Sequence, residues 1–167
     1  ESAGESARYR VLDSRIGYLY LRRVDADCAK AVHTARTAMR STLGTIVDLR
    51  GNGGGGYDDA LLDEIGKLKK PVAVILDAGC ISAGETLARD IQRLCKATLI
   101  GERTAGASSS KRRYTLPSGR ASVQVATRSR MRNDGQPIEY NGIAPDIFLE
   151  PDPKEVRAGI NSEIAAA

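Results

Sequence analysis

Short apolar runs alternate with amphipathic segments along much of the chain. The runs are rich in Val, Ile and Leu and predict buried strands, whereas the segments between them place apolar residues at helical spacing. The predicted strands cover residues 16–24, 45–49, 72–78 and 97–102, and the predicted helices cover 25–41, 57–70 and 83–96. This β-α-β order predicts a parallel sheet whose strands are joined by right-handed crossovers.

The pattern changes after Gly101. Residues 112–131 predict two strands around a "PSG" turn, and the tail contains a proline-rich loop before a last helix from about Lys154. The sequence therefore predicts an α/β fold with a mostly parallel sheet, flanking helices and an added antiparallel hairpin. The predicted divisions are an N-terminal linker (1–15), a core domain (16–150) and a C-terminal tail with a short helix (151–167).

Composition and charge restrict the class of protein. The chain has 167 residues, of which 41% are hydrophobic and 28% charged, as expected for one soluble globular domain. A net charge of +4 favours anionic groups on a partner but is too small to indicate nucleic acid binding. No apolar run approaches the roughly 20 residues that span a membrane. The chain opens without a signal peptide, so we expect a cytoplasmic protein or a domain of a longer precursor.

The three cysteines, Cys28, Cys80 and Cys95, are odd in number and lack the spacing of metal ligands. We interpret them as buried free thiols, which leave the redox state of the compartment open. We expect neither a metal nor a cofactor.

Two loops follow predicted parallel strands, at the carboxyl edge where open α/β sheets place ligands. One is "DLRGNGGGGYDD" (48–59) and the other is "DAGCISAGE" (77–85). The first contains four consecutive glycines, Gly53 to Gly56, whose bare backbone can approach a ligand and direct N–H groups at a negative charge.

Ser82 stands where the second loop turns into a helix. It has two interpretations. Ser82 and Glu85 fit a capping box, in which the serine only begins the helix. Alternatively, Ser82 is a nucleophile at the positive end of the helix dipole, and the N–H groups of Ala83 and Gly54 stabilise an oxyanion. The sequence around Ser82 supplies no base.

The glycine loop also allows a different class of function. "GNGGGG" (51–56) matches the dinucleotide-binding pattern, and Asp77 ends the next strand where a ribose-binding acid could lie. However, Asp58 and Asp59 fall in the first turn of the following helix, where they suit the helix dipole but repel a pyrophosphate. A dinucleotide-binding oxidoreductase domain and a plain flexible turn are the alternatives.

Five segments together carry a family resemblance: "IVDLRGNGGG", "ISAGETLA", "LIGERTAG", "LPSG" and "NGIAPDI". In this order and spacing the chain resembles the catalytic core of the C-terminal-processing (tail-specific) serine peptidases over residues 16–150. The resemblance implies a crotonase-like core, a polypeptide substrate cleaved near its C-terminus, and a periplasmic or secreted location. It also implies that Ser82 is the nucleophile and that Ala83 and Gly54 are the oxyanion donors.

The sequence departs from the family at the position of the base. In the Ser–Lys branch a lysine follows "G-E-x-T-x-G", but here Ala107 stands there, and Lys111 replaces a glutamine four residues later. The chain is more similar to the tricorn-like and retinoid-binding-protein-like branch. That branch uses a histidine from a preceding domain, oriented in part by a glutamate that Glu139 matches. We therefore expect a preceding domain of the same precursor as a partner.

Three accounts of the base remain open. The first is a histidine on the preceding domain. The second is Lys111, whose pKa the neighbouring Arg112 and Arg113 would help to depress. The third is no base at all, in a degenerate homologue that binds peptides or apolar ligands. The only histidine, His33, lies inside a predicted helix, and we interpret it as a surface residue.

Substrate contacts are expected from the glycine loop and from a basic stripe. We expect the N–H group of Gly54 or Gly55 to converge with that of Ala83 near the Ser82 hydroxyl, and Gly55 to contact substrate. The stripe alternates along one side of a predicted strand, and its arginines could receive a substrate carboxylate, although most such stripes are simply exposed. Its members are Arg128, Arg130 and Arg132.

Overall fold

A six-stranded sheet and a separate two-stranded hairpin make up the strands of the computed structural model, which describes residues 6–158 and 161–167. The strands are β1 (Ala7–Val11), β2 (Gly17–Leu21), β3 (Thr45–Asp48), β4 (Val72–Leu76), β5 (Thr98–Gly101), β6 (Ser109–Thr115), β7 (Ser122–Ser129) and β8 (Ile147–Phe148). The helices are α1 (Cys28–Ala38), α2 (Asp59–Gly66), α3 (Ala83–Cys95), α4 (Pro153–Arg157) and α5 (Ser162–Ala166).

The large sheet is mostly parallel, as predicted. Its order is β1-β2-β3-β4-β5-β8, and every neighbouring pair is parallel except β1 with β2. In the register, Tyr20 lies beside Asp48 and Asp48 beside Ile75, so the strands end nearly level. The loops that follow β3 and β4 are therefore neighbours at one edge of the sheet.

The core lies between the sheet and helices α1 to α3. Apolar side chains at helical spacing join alternate residues of the strands in one buried cluster, and each such side chain contributes about 1.5–3 kcal/mol. Members include Val32, Leu61, Ile65, Leu87 and Ile91 from the helices, and Val47, Val74 and Leu99 from the strands. On the opposite face, Ile46, Ala73 and Ile100 border a groove together with Ala166 of α5.

The N-terminal linker predicted over residues 1–15 is wrong for residues 7–11. These residues form β1, which pairs antiparallel with β2. Its sequence, Ala-Arg-Tyr-Arg-Val, alternates apolar and charged residues as a strand does, although four of the five residues are exposed. Residues 1–5 of the predicted linker lie outside the described residues.

The hairpin and the tail follow the predictions with shifted bounds. The hairpin begins at Ser109 rather than at 112 and pairs β6 with β7 antiparallel. The tail contains two short helices, α4 from Pro153 and α5 from Ser162, where one was expected. In the described part of the chain, every helix is too short or too polar to cross a membrane.

A buried ion pair connects the sheet to the tail. Asp48, at the end of β3, is 1% exposed and accepts hydrogen bonds from the Arg50 guanidinium and, at 2.6 Å, from the Tyr18 hydroxyl. Burial and the Asp48 carboxylate raise the pKa of Tyr18 well above its usual value. Arg50 also pairs with the buried Glu163 of α5 at 3.3 Å. The tail is thereby fixed to the segment that leads into the glycine loop.

Replacing Asp48 should measure the contribution of this pair. Asp48→Ala removes the acceptor of a buried guanidinium and should lower the free energy of unfolding by about 3 kcal/mol, as urea denaturation would show. Asp134→Ala is the matched control. Its carboxylate pairs with Arg132 at the surface, where solvent screens the charges, so this variant should unfold nearly like the unsubstituted chain. Equal losses in both variants would contradict the assignment.

Candidate active site

Ser82 occupies a sharp turn between β4 and α3. Its φ of 56° and ψ of −121° are unusual for a residue with a side chain, and such a conformation costs about 1–3 kcal/mol. The turn also needs small neighbours. A Cβ on Gly84 would lie 2.8 Å from the Asn52 Oδ1 atom. The strained serine at a helix N-terminus resembles the geometry that presents a nucleophile.

The Glu85 carboxylate holds this turn in place. Glu85 is fully buried and accepts hydrogen bonds from the Thr104 hydroxyl (2.6 Å) and from the N–H groups of Gly106 (2.7 Å), Ala107 (2.9 Å) and Ser82 (3.1 Å). We call this set the Glu85 clamp. The bond to the Ser82 N–H is the one expected of a capping box, and the other three connect the turn to the segment after β5.

Asn52 organises the glycine loop. Its side chain is fully buried, donates to the Leu21 carbonyl oxygen at 2.7 Å and accepts from the Gly54 N–H at 2.9 Å. The backbone carbonyl oxygen of Asn52 accepts from the Ile81 N–H at 3.0 Å. Asn52 therefore connects the loop to the chain on both sides, including the residue immediately before Ser82.

Gly54 lies directly beside Ser82. It has a φ of 78°, and an added Cβ would lie 2.7 Å from the Ser82 Cβ and 3.2 Å from the Ala83 nitrogen. The two loops therefore converge, as the sequence predicts. Only a residue without a side chain fits at this position without displacing the serine.

The prediction of Gly54 as an oxyanion donor is at odds with its hydrogen bonding. Its N–H already donates to Asn52, whereas its carbonyl oxygen accepts from the Val24 N–H at 3.0 Å. Because the peptide bond between Gly54 and Gly55 is planar and trans, the Gly55 N–H points away from Val24. Gly55 borders a cavity together with Ser82 and Ala83. This geometry favours Gly55 as the donor of the glycine loop.

The cavity beside Ser82 has a volume of about 400 Å³. Backbone, small side chains and longer polar side chains all contribute to its lining. Its lining comprises Gly55, Gly56, Tyr57, Ser82, Ala83, Thr86, Arg89, Asp90, Ser108, Ser109, Ser110 and Arg130. The N–H of Ala83 is in the first turn of α3, where helix N–H groups lack an intrahelical acceptor.

One wall contains a hydrogen-bonded triplet that sequence reasoning missed. The Tyr57 hydroxyl donates to Asp90 Oδ2 at 2.7 Å, and Arg89 donates to Asp90 Oδ1 through Nε at 3.0 Å and Nη2 at 2.9 Å. Burial and the Asp90 carboxylate raise the pKa of Tyr57 to about 12. The available signal was the spacing of Asp90, which lies one helical turn beyond Thr86 on the same face of α3.

The other predicted site residues are divided between the cavity and the surface. Arg130 borders the cavity, and Glu139 is half-buried behind it, where it accepts from the Ser109 hydroxyl at 2.6 Å. Lys111 and Arg128 lie on the exposed hairpin, outside the cavity lining. The strand register shifts between Ser110, which borders the cavity, and Lys111, which does not.

The residues behind the alternative functions have structural partners. His33 is exposed on α1 and lies 3.1 Å from Glu64, which confirms its interpretation as a surface residue. Asp58 caps α2 by accepting from the Leu61 N–H. Asp77 accepts from the N–H groups of Gly51 and Gly79. Asp77, the acid that a dinucleotide site would need, therefore binds backbone N–H groups of the fold itself.

The site combines the Ser82 hydroxyl with neighbouring backbone N–H groups. Within the described chain, the cavity lining contains Ser82, two backbone donors and two arginines, but neither a lysine nor a histidine. A serine hydroxyl is a weak nucleophile at neutral pH without an adjacent base. The arrangement therefore suits acyl transfer once a base is brought to the open side of the cavity.

Comparison with known sequences finds similarity to peptidases. A sequence model of peptidase family S41 matches residues 63–149, which include Ser82 and the Glu85 clamp. The chain is 24% identical over 175 aligned positions to the carboxy-terminal processing protease CtpA of Bacillus subtilis (strain 168). The alignment covers 87% of this chain but only 37% of that relative, so the chain spans little more than a third of its length.

Solved structures share the fold at low sequence identity. A protein of Parabacteroides merdae, assigned as a peptidase, has a TM-score of 0.76 and 22% identity over 96% of this chain and 62% of its own. The tricorn protease has a TM-score of 0.72 and 20% identity over 91% of this chain and 17% of its own. These likenesses establish that the two proteins share this chain's architecture.

The Glu85 clamp predicts a specific loss of stability. Glu85→Gln keeps the size of the side chain but turns one acceptor into an NH₂ group facing N–H donors. The free energy of unfolding should fall by about 2–3 kcal/mol in chemical denaturation. Glu150→Gln replaces an exposed glutamate and serves as the control, with no change expected. A Glu85→Gln protein as stable as the control would contradict the clamp.

Proposed function

The chain belongs to peptidase family S41, and on that premise we propose that it is a serine-peptidase core that cleaves polypeptides near their C-termini through an acyl-enzyme on Ser82. The observation that carries the proposal is the strained turn of Ser82, which lies against Gly54 at the N-terminus of α3. The name of the Bacillus subtilis relative, a carboxy-terminal processing protease, supports the position of cleavage.

The proposed reaction begins with attack by the Ser82 hydroxyl oxygen on the carbonyl carbon of the scissile peptide. The carbonyl oxygen becomes an oxyanion, which accepts hydrogen bonds from the N–H groups of Ala83 and Gly55 and is favoured by the dipole of α3. A base takes the serine proton and gives it to the leaving amine. Water then hydrolyses the acyl-enzyme and regenerates the Ser82 hydroxyl.

We propose that a histidine from a preceding domain of the same protein supplies the base. Two observations support this proposal. The cavity lining in the described chain lacks a lysine and a histidine, and Lys111 is on the exposed hairpin. Glu139 lies behind Ser109 at the cavity wall, where a carboxylate can orient an incoming imidazole and stabilise its protonated form.

A fluorophosphonate probe, which reacts with activated serines, tests the proposed function. We expect slow labelling of this chain at Ser82, faster labelling of a longer form that includes the preceding domain, and none in Ser82→Ala. Lys111→Ala should label at the unsubstituted rate. Failure to label Ser82 in both the short and the longer form would instead favour a homologue that only binds peptide.

Two glycine substitutions test how closely the glycine loop must approach Ser82. Gly54→Ala places a Cβ 2.7 Å from the Ser82 Cβ, and we expect at least a tenfold slower labelling of Ser82. Gly53→Ala is the matched control, because an added Cβ there meets no atom within 4 Å. Its labelling rate should be unchanged. Equal rates for the two variants would show that the loops do not converge as described.

A further inference from the structure

The charges that line the cavity do not balance. Among the described residues, the one carboxylate in the lining is Asp90, which is 5% exposed, and the arginines are Arg89 and Arg130. Asp90 receives two hydrogen bonds from Arg89 and one from Tyr57. In addition, the Arg93 Nη2 atom lies 3.9 Å from Asp90 Oδ1. A cationic ligand would therefore find the acceptor atoms of Asp90 already occupied.

Arg130 is the positive charge that remains. It leaves the hairpin just after β7, and its backbone carbonyl is held by the Ile138 N–H at 2.8 Å. Glu139 is half-buried and accepts from the hydroxyl of the lining residue Ser109, and among the described residues it forms no ion pair with Arg130. Within the described residues, the Arg130 guanidinium forms neither an ion pair nor a side-chain hydrogen bond, so its fork of donors is available to a ligand.

We propose that the cavity beside Ser82 binds a carboxylate of the polypeptide substrate and that Arg130 is the residue that determines this specificity. The inference rests on the proposed peptidase function and names its substrate class. Guanidinium and carboxylate groups match in a bidentate geometry, which adds specificity to the attraction between their charges. The carboxylate belongs either to an acidic side chain next to the scissile bond or to the C-terminus of the substrate.

Binding of short peptides to the Ser82→Ala chain, measured by fluorescence anisotropy, tests the proposal without cleavage. Three fluorescent pentapeptides with both ends blocked differ only in a central Glu, Gln or Lys. A fourth carries the central Gln and a free C-terminal carboxylate. We expect the Glu peptide or the free-terminus peptide to bind about tenfold more tightly than the blocked Gln peptide, and the Lys peptide to bind most weakly. The peptide that gains affinity shows whether the bound carboxylate is a side chain or the C-terminus.

Substitutions assign the effect to one arginine. Arg130→Gln should remove the preference for carboxylate, and Arg130→Glu should reverse it in favour of the Lys peptide. Arg128→Gln is the matched control, since Arg128 lies two residues away on the exposed strand and outside the cavity lining. It should retain the full preference.

Several results would overturn the proposal. These are equal binding of the Glu, Gln and free-terminus peptides, no measurable binding of any of them, or the same loss of preference in Arg128→Gln as in Arg130→Gln. The outcome is separable from that of the peptidase proposal. Fluorophosphonate labelling of Ser82 without a carboxylate preference refutes only the inference about Arg130, and a preference without labelling refutes only the peptidase.

Discussion

The buried Glu85 carboxylate is the interaction on which the rest of the site depends. It joins the first turn of α3 to the segment after β5, so the backbone of Ser82 and that of Ala107 share one acceptor. A lone buried carboxylate is costly, and the four donors around it offset that cost only while all of them keep their places. Thr104 extends the set, because its hydroxyl also accepts from the Ile143 N–H. The strained turn at Ser82 persists because these contacts define it from several sides.

The fold was largely predictable from the sequence, because buried parallel strands appear as repeated apolar runs and helices as periodic ones. The edge strand β1 was missed although its five residues alternate apolar and charged side chains, because so short an alternation within a polar segment is a weak signal. The convergence of the two loops followed from the parallel order of β3 and β4. Whether Gly54 or Gly55 directs its N–H group at the cavity could not be predicted. It depends on which peptide group hydrogen-bonds to Val24, and four identical residues give no sequence signal for that pairing.

Long-range partners limited the prediction of the site. Glu85 was recognised as a helix cap from its spacing to Ser82, but three of its donors lie 19 to 22 residues further along the chain. Likewise, Tyr57 and Asp90 are 33 residues apart and meet only because α3 passes the end of the glycine loop. Linear spacing brought Lys111 and Arg128 into the predicted site, whereas the fold leaves both on the hairpin surface.

The four consecutive glycines are not equivalent, and this has a consequence for how such a loop can change during evolution. Gly54 and Gly55 have positive φ and meet Ser82 and the Val24 carbonyl at distances that exclude a side chain, whereas a Cβ on Gly53 or Gly56 would enter open space. Selection for the fold therefore acts on the inner pair, and the outer two positions are free to drift. By this geometry the architecture requires only an asparagine, one variable residue and two glycines here, so a search pattern of four glycines is stricter than the fold demands.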